Sequence, residues 1–138
     1  VFSTKERRPW LSPEVRERLF AYLGGIIRND KGFSLIVGGT EDHVHILAHL
    51  HQSRAVSDRL RDLKAKSSKW VHETFPAMRE FAWQGGYGAF TVSTSQTTRV
   101  HEYIAGQEEH HRKEDFKTEF LRLLKAHGIE YDERYIWE

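Results

Sequence analysis

The stretch FSLIVGGTEDHVHILAHL, residues 33–50, decides the fold. Phe33 to Val37 is an apolar run of strand length, Gly38 to Asp42 reads as a turn, and His43 to Leu50 as the antiparallel partner. Side chains alternate along a strand, so Val44, Ile46, Ala48 and Leu50 share one wholly apolar face, which belongs to the core. His43, His45, Leu47 and His49 share the other face. Two imidazoles at i and i+2 stand close enough to bind one ion. An isolated pair of this kind is more often two solvated or hydrogen-bonded histidines on an exposed sheet. His49 and His51, nearer the strand end, read as exposed polar residues.

Outward from this hairpin the pattern alternates. Val1 to Thr4 looks like the tail of a strand. Ser12-Pro13-Glu14 is a helix start, with a hydroxyl at the N-cap, proline at the first helical position and an acid in the first turn. Val15, Leu19, Leu23, Ile26 and Ile27 keep helical spacing up to a stop at Asn29–Gly32. A second helix is expected from about Ser53 to Phe75, with Val56, Leu60, Leu63 and Trp70 on its apolar stripe and Pro76 ending it. Gly85 to Gly88 opens another expected strand, in which Phe90 and Val92 point one way and Thr91 and Ser93 the other. Thr97 or Thr98 caps a third helix reaching about His111, and a fourth covers about Asp115 to His127. The acidic, aromatic end from Glu130 to Glu138 reads as a docked extension. The order β-α-β-β-α-β followed by two helices is the α+β, ferredoxin-like (RRM-like) plan: an antiparallel sheet with helices on one face and the other face open.

Composition narrows the chemistry. The chain has 138 residues, 38% hydrophobic and 30% charged, which suits one globular domain with a real core. It contains no Cys, so disulfides, thiolate metal sites and a cysteine nucleophile are excluded. No apolar run approaches the ~20 residues of a membrane span, and no signal peptide is visible, so the cytosol is the expected location. The net charge of +1 hides an asymmetry: residues 1–70 hold 13 Lys and Arg against 8 Asp and Glu, residues 71–138 hold 8 against 12. A basic front half suits an anionic polymer.

Tyr103 and Gln107 lie four apart in the third helix, so they stack on one face, with His110 and His111 one turn further on. Taken alone, this is as readily a surface pair. Gly106 inside the helix costs about 1 kcal/mol relative to Ala.

Taken together, TEDHVHIL around His43 and His45, WQGGYGAF from Trp83 to Phe90, and YIAGQEEHH from Tyr103 closely resemble the single-tyrosine HUH transposases. These are the insertion-sequence and REP-associated enzymes that act on single-stranded DNA. FSTKERRP near the front and FKTEF at residues 116–120 extend the likeness over essentially the whole chain, read as one catalytic domain, 1–138. The family's first strand normally begins before the residue that is Val1 here.

The resemblance implies that His43, His45 and Gln107 are metal ligands and Tyr103 the nucleophile, with Mg²⁺ as the ion and Mn²⁺ accepted at least as willingly. It implies nicking and rejoining of single-stranded DNA hairpin ends through a 5′-phosphotyrosine, in a homodimer, in the prokaryotic cytosol. The tyrosine helix of one subunit usually completes the histidine pair of the other, and the sequence leaves cis or trans assembly open. For DNA contacts the candidates are Lys5, Arg7 and Arg8, and Arg54, Arg61 and Lys64 on the second helix. That helix carries six basic residues against two acidic ones between Ser53 and Trp70. Trp10, Trp83 and Tyr87 are candidates for stacking on bases, although core or turn packing suits each better.

Three other readings stand beside this one. A replication initiator commonly has Lys one turn after its tyrosine, where this chain has Gln107, and the relaxase plan puts the tyrosine before the histidine pair. A non-catalytic RRM-like binding module shares the topology, but Ala89 stands where its signature needs an aromatic and it has no use for His43 and His45. A two-histidine phosphodiesterase is built on a pair of His-x-Thr/Ser motifs, and His43-Val-His45 is not one.

Overall fold

The computed structural model describes residues 1–138. Its centre is a three-stranded antiparallel sheet in the order β1 (Phe2–Ser3), β3 (His43–His49), β2 (Phe33–Gly39). In the β1–β3 ladder Phe2 faces Val44 and Ser3 faces His43, while in β2–β3 Gly38 faces His45. A register shift between Ser34 and Ile36 marks a bulge.

Helix α1 (Pro13–Asn29) begins as its sequence dictates: Ser12 is the N-cap and its hydroxyl accepts from the Val15 amide. Its apolar stripe of Val15, Leu19, Leu23 and Ile27 is buried. Helix α2 (Val56–Thr74) ends before Pro76. Both helices cover the Val44 face, where Phe2, Leu11, Leu19, Leu23, Leu63, Val71, Phe81 and Trp83 join the main core. The buried face of α2 differs from the expected stripe. It consists of Arg59, Leu63, Ser67 and Val71, whereas Val56 is 42% exposed. The polar members have partners: the Trp83 indole donates to Ser67 Oγ at 2.9 Å, and Arg59 bonds the Asp30 carbonyl at 2.9 Å. An apolar count does not register such satisfied polar positions.

The strand expected after Gly85 does not form. One antiparallel bridge, Thr4 to Trp83, is its remnant beside β1, with the Gln84 amide on the Ser3 carbonyl at 3.0 Å. Beyond it the donors turn elsewhere: the Gly85 amide to Glu138 O at 2.7 Å and the Gly88 amide to Val1 O at 2.8 Å. The chain end thus takes the ladder's place, and the tail is docked as its sequence suggested. Trp137 packs with Phe116 and Phe120 in a second small core.

The expected third helix is also broken. It forms α3 (Thr97–Ala105) and α4 (Gln107–His110), separated at Gly106. Asp115 then caps α5 (Phe116–Ala126), accepting from the Thr118 amide at 2.8 Å. No helix is long and apolar enough to cross a membrane.

Two members of the expected α2 stripe are predicted to differ under mutation. Leu63→Ala should lower unfolding free energy by about 2–5 kcal/mol, as for buried Leu truncations. Val56→Ala should change it by no more than about 0.5 kcal/mol. Urea denaturation followed by circular dichroism measures both.

Candidate active site

The face of β3 expected to be open is covered. His43 is 0% and His45 3% exposed, because α3, α4 and α5 lie over them. Close approach by α3 depends on Gly38 in β2: a Cβ there would sit 2.8 Å from both Cγ2 and O of Ile104. With α3 seated on the strand, Tyr103 points across the sheet, its ring 5.8 Å from that of His45.

The break at Gly106 turns the chain so that α4 sets Gln107 Oε1 2.8 Å from His43 Nε2. Helix α5 then returns Glu119 to the same point. Glu119 is fully buried, with Oε1 2.9 Å from His45 Nε2, 3.2 Å from His111 Nε2 and 3.8 Å from His43 Nε2. Its Oε2 accepts a hydrogen bond from the Tyr103 hydroxyl and lies 3.3 Å from Gln107 Nε2 and from His110 Nε2. Phe116, one turn earlier on α5, stacks on the His43 ring at 4.2 Å. The structure therefore brings His43, His45, Tyr103 and Gln107 together within one chain.

Glu119 had no role in the reading of the sequence, although its motif had been singled out. The signal was present: it shares the apolar stripe of α5 with Phe116, Phe120 and Leu124, where an acid is costly unless paired. His110 and His111, which the sequence left unassigned, border the same carboxylate.

Electrostatics follow from burial. Burial pushes the Glu119 carboxyl up, but hydrogen bonds from His111, His45 and Tyr103 outweigh it and hold the group well below the usual carboxylate range. Burial lowers His45 to about 4 despite its bond to Glu119, so at neutral pH this ring is uncharged. Burial, followed by the bond to Glu119, raises the Tyr103 phenol above its ordinary value. A phenol so placed keeps its proton until a positive charge comes near.

The donor set fits a divalent cation. His43 Nδ1 lies 2.9 Å from Asp42 Oδ1, which assigns its proton to that nitrogen and turns the Nε2 lone pair inward. That lone pair faces an amide oxygen, with a carboxylate oxygen beyond it. The ligand atoms of His43, His45 and Glu119 all lie within 4.8 Å of one another, a spacing at which one cation can replace the protons that link them.

The basic candidates are more scattered. Arg54 is held by Asp30 at 3.1 Å and by Asp62, and Lys64 donates to the carbonyls of Gln84, at 2.9 Å, and Gly86. Burial lowers the Lys64 ammonium to about 8. Both side chains are thus engaged within the protein. Arg61, Lys5 and Arg8 are exposed, and Arg7 lies over the Trp137 ring at 5.2 Å. Trp83 is core, Trp10 packs on Phe81, and Tyr87 is 37% exposed beside Lys64. At the rim of the site, exposed Arg122 reaches within 3.4 Å of the Tyr103 hydroxyl, a neighbour that the sequence reading did not single out.

These features coincide with a known family. The model of the IS200-like transposases matches residues 1–107, and the chain belongs to that family of DNA transposases. It is similar to the ISDra2 transposase TnpA of Deinococcus radiodurans, 27% identical over 112 residues, which is 78% of this chain and 80% of that one. A crystal structure assigned to a transposase of Deinococcus radiodurans R1 has the same fold, with a TM-score of 0.63 at 24% identity over 77% of this chain and 85% of the other. Transposase membership supersedes the initiator, relaxase, RRM-like and phosphodiesterase alternatives.

The lowered His45 sets a direction with pH. Unfolded, this imidazole takes up its proton near 6.5, and folded only near 4. Between those values the unfolded chain holds more protons, so stability falls as pH is lowered through the window. Thermal unfolding in chelator should show this slope, and His45→Asn should flatten it.

Proposed function

We propose that this chain is a metal-dependent transposase that cleaves and rejoins the hairpin ends of single-stranded DNA through Tyr103. The observation that carries this reading is a shared carboxylate: Glu119 accepts from the Tyr103 hydroxyl with one oxygen and lies 2.9 Å from His45 Nε2 with the other. Nucleophile and imidazoles therefore converge on one point.

In this reading His43, His45 and Gln107 hold a divalent ion, Mg²⁺ or Mn²⁺. When bound, it supplies Lewis acidity that withdraws charge from phosphate oxygens and lowers the cost of a phenolate. Asp42 keeps the His43 proton on Nδ1, so that Nε2 remains a ligand. Tyr103 attacks the scissile phosphorus, a phosphorus–oxygen bond forms to the phenol, and the bond to the 3′ oxygen breaks. That oxygen leaves as a 3′-hydroxyl, carrying one proton in place of the one lost by the phenol. Attack by the 3′-hydroxyl of another strand on the 5′-phosphotyrosine reverses these changes and restores the phenol. One phosphodiester is exchanged for another, so no nucleotide cofactor is required.

Arg122 stands where an incoming phosphate meets the phenol from the exposed side. Lys5, Arg7, Arg8 and Arg61 supply further phosphate contacts, and Arg54 and Lys64 contribute if DNA displaces their internal partners. We place the enzyme in the prokaryotic cytosol as a homodimer, with 1–138 as one catalytic domain. Each chain carries its own complete constellation, which favours assembly in cis.

A single-stranded hairpin oligonucleotide incubated with the protein and Mn²⁺ tests this. The expected result is a covalent adduct that survives denaturation, no adduct from Tyr103→Phe, and none in chelator. An adduct of undiminished yield from Tyr103→Phe would sink the assignment.

A further inference from the structure

Helix α5 lies beyond the residues that the family match covers, and it is the source of the fully buried carboxylate in the site. We propose that Glu119 is a further ligand of the divalent ion, binding through Oε1 beside His43, His45 and Gln107, while Oε2 holds the Tyr103 oxygen alongside. This rests on the reading of His43 and His45 as ligands.

Three observations support it. First, Oε1 is the carboxylate oxygen on the imidazole side, 2.9 Å from His45 Nε2 and 3.8 Å from His43 Nε2. Its neighbour Oε2 faces away, toward Tyr103, Gln107 and His110. The two oxygens are thus already divided between the ion site and the nucleophile.

Second, Glu119 is fully buried, and no Lys or Arg makes an ion pair with it. Its basic neighbours are the imidazoles of His43, His45, His110 and His111. An anion taken out of water needs a compensating charge, and a divalent ion between it and the imidazoles supplies one.

Third, the placement is over-determined. Asp115 caps the start of α5, Phe116 stacks on His43, and Phe120 and Trp137 wedge the helix from behind. A carboxylate fixed so firmly beside the two imidazoles of β3 is preorganised for a cation.

The set becomes two imidazoles, an amide oxygen and a carboxylate. The carboxylate is a hard, anionic donor, which strengthens the site toward oxygen-preferring ions such as Mg²⁺ and Mn²⁺.

The test is Mn²⁺ binding to the metal-stripped full chain without DNA, followed by titration calorimetry and by the electron paramagnetic resonance signal of free Mn²⁺. Wild type, Glu119→Gln and the double variant His43→Ala, His45→Ala are compared. The expected result is a loss of affinity of tenfold or more in Glu119→Gln. The rise in melting temperature on adding Mn²⁺ should also shrink.

If Glu119→Gln binds Mn²⁺ as wild type does while the double histidine variant does not, Glu119 is only structural and the inference is overturned. Wild-type binding by the double histidine variant defeats the underlying reading instead. Should Glu119→Gln fail to fold, Glu119→Asp keeps the charge but withdraws it by one methylene. Reduced Mn²⁺ affinity in that folded variant supports ligation, and unchanged affinity with an unchanged spectrum of bound Mn²⁺ overturns it.

Discussion

A carboxylate with no contact with water governs the architecture around it. Ionised and buried, Glu119 is tolerable only while hydrogen-bond donors or a cation surround it. His45, His111, Tyr103 and Gln107 all turn polar atoms toward it, and they come from β3, from α3, and from α4 with its C-cap. To meet at one carboxylate, the sheet must present its histidine face, α3 must lie on it, the chain must bend at Gly106, and α5 must return. Losing any one of these leaves a buried charge short of partners, so the helices are bound to the sheet by electrostatics as much as by apolar contact.

The same requirement explains the closed face. In a ferredoxin-like plan the side away from the helices is ordinarily free, and α1 and α2 do cover only the Val44 side. Here the second side carries its own smaller apolar cluster, Phe116, Phe120 and Leu124, with Phe90 and Trp137 packed against it. That cluster is too small to hold three short helices by burial alone. Polar convergence beneath it supplies specificity of position. The nucleophile consequently sits at the rim, partly accessible through the side occupied by Arg122, and the imidazoles lie behind it.

Much of the scaffold was legible from periodicity and punctuation. Alternation from His43 to His49 located β3, and the Ser12-Pro13 pair located the start of α1. The histidine pair, the tyrosine and Gln107 were legible as motifs, and the structure sets them side by side. Other features were hidden for identifiable reasons. Phe90 and Val92 alternate like a strand, yet a strand needs a neighbour with free donors and acceptors, and the tail carbonyl of Glu138 competes for one. The buried polar residues of α2 read as surface because their partners, Trp83 and Asp30, are distant in sequence. Glu119 was hidden in the same way: its cost and its compensation lie on different elements. Two of the six basic candidates were likewise committed to internal partners that no local pattern announces.

Gly38 sets the height of α3 above the sheet. Because nothing projects from its α-carbon, the backbone of α3 rests almost directly on β2 at Ile104, one residue past Tyr103. The strand acts as a gauge block of zero thickness beneath the phenol. Thickening that block would lift the hydroxyl away from the rings without altering a single reactive group. Relatives that share every chemical residue can therefore differ in reach alone, through one backbone contact on the far side of the helix.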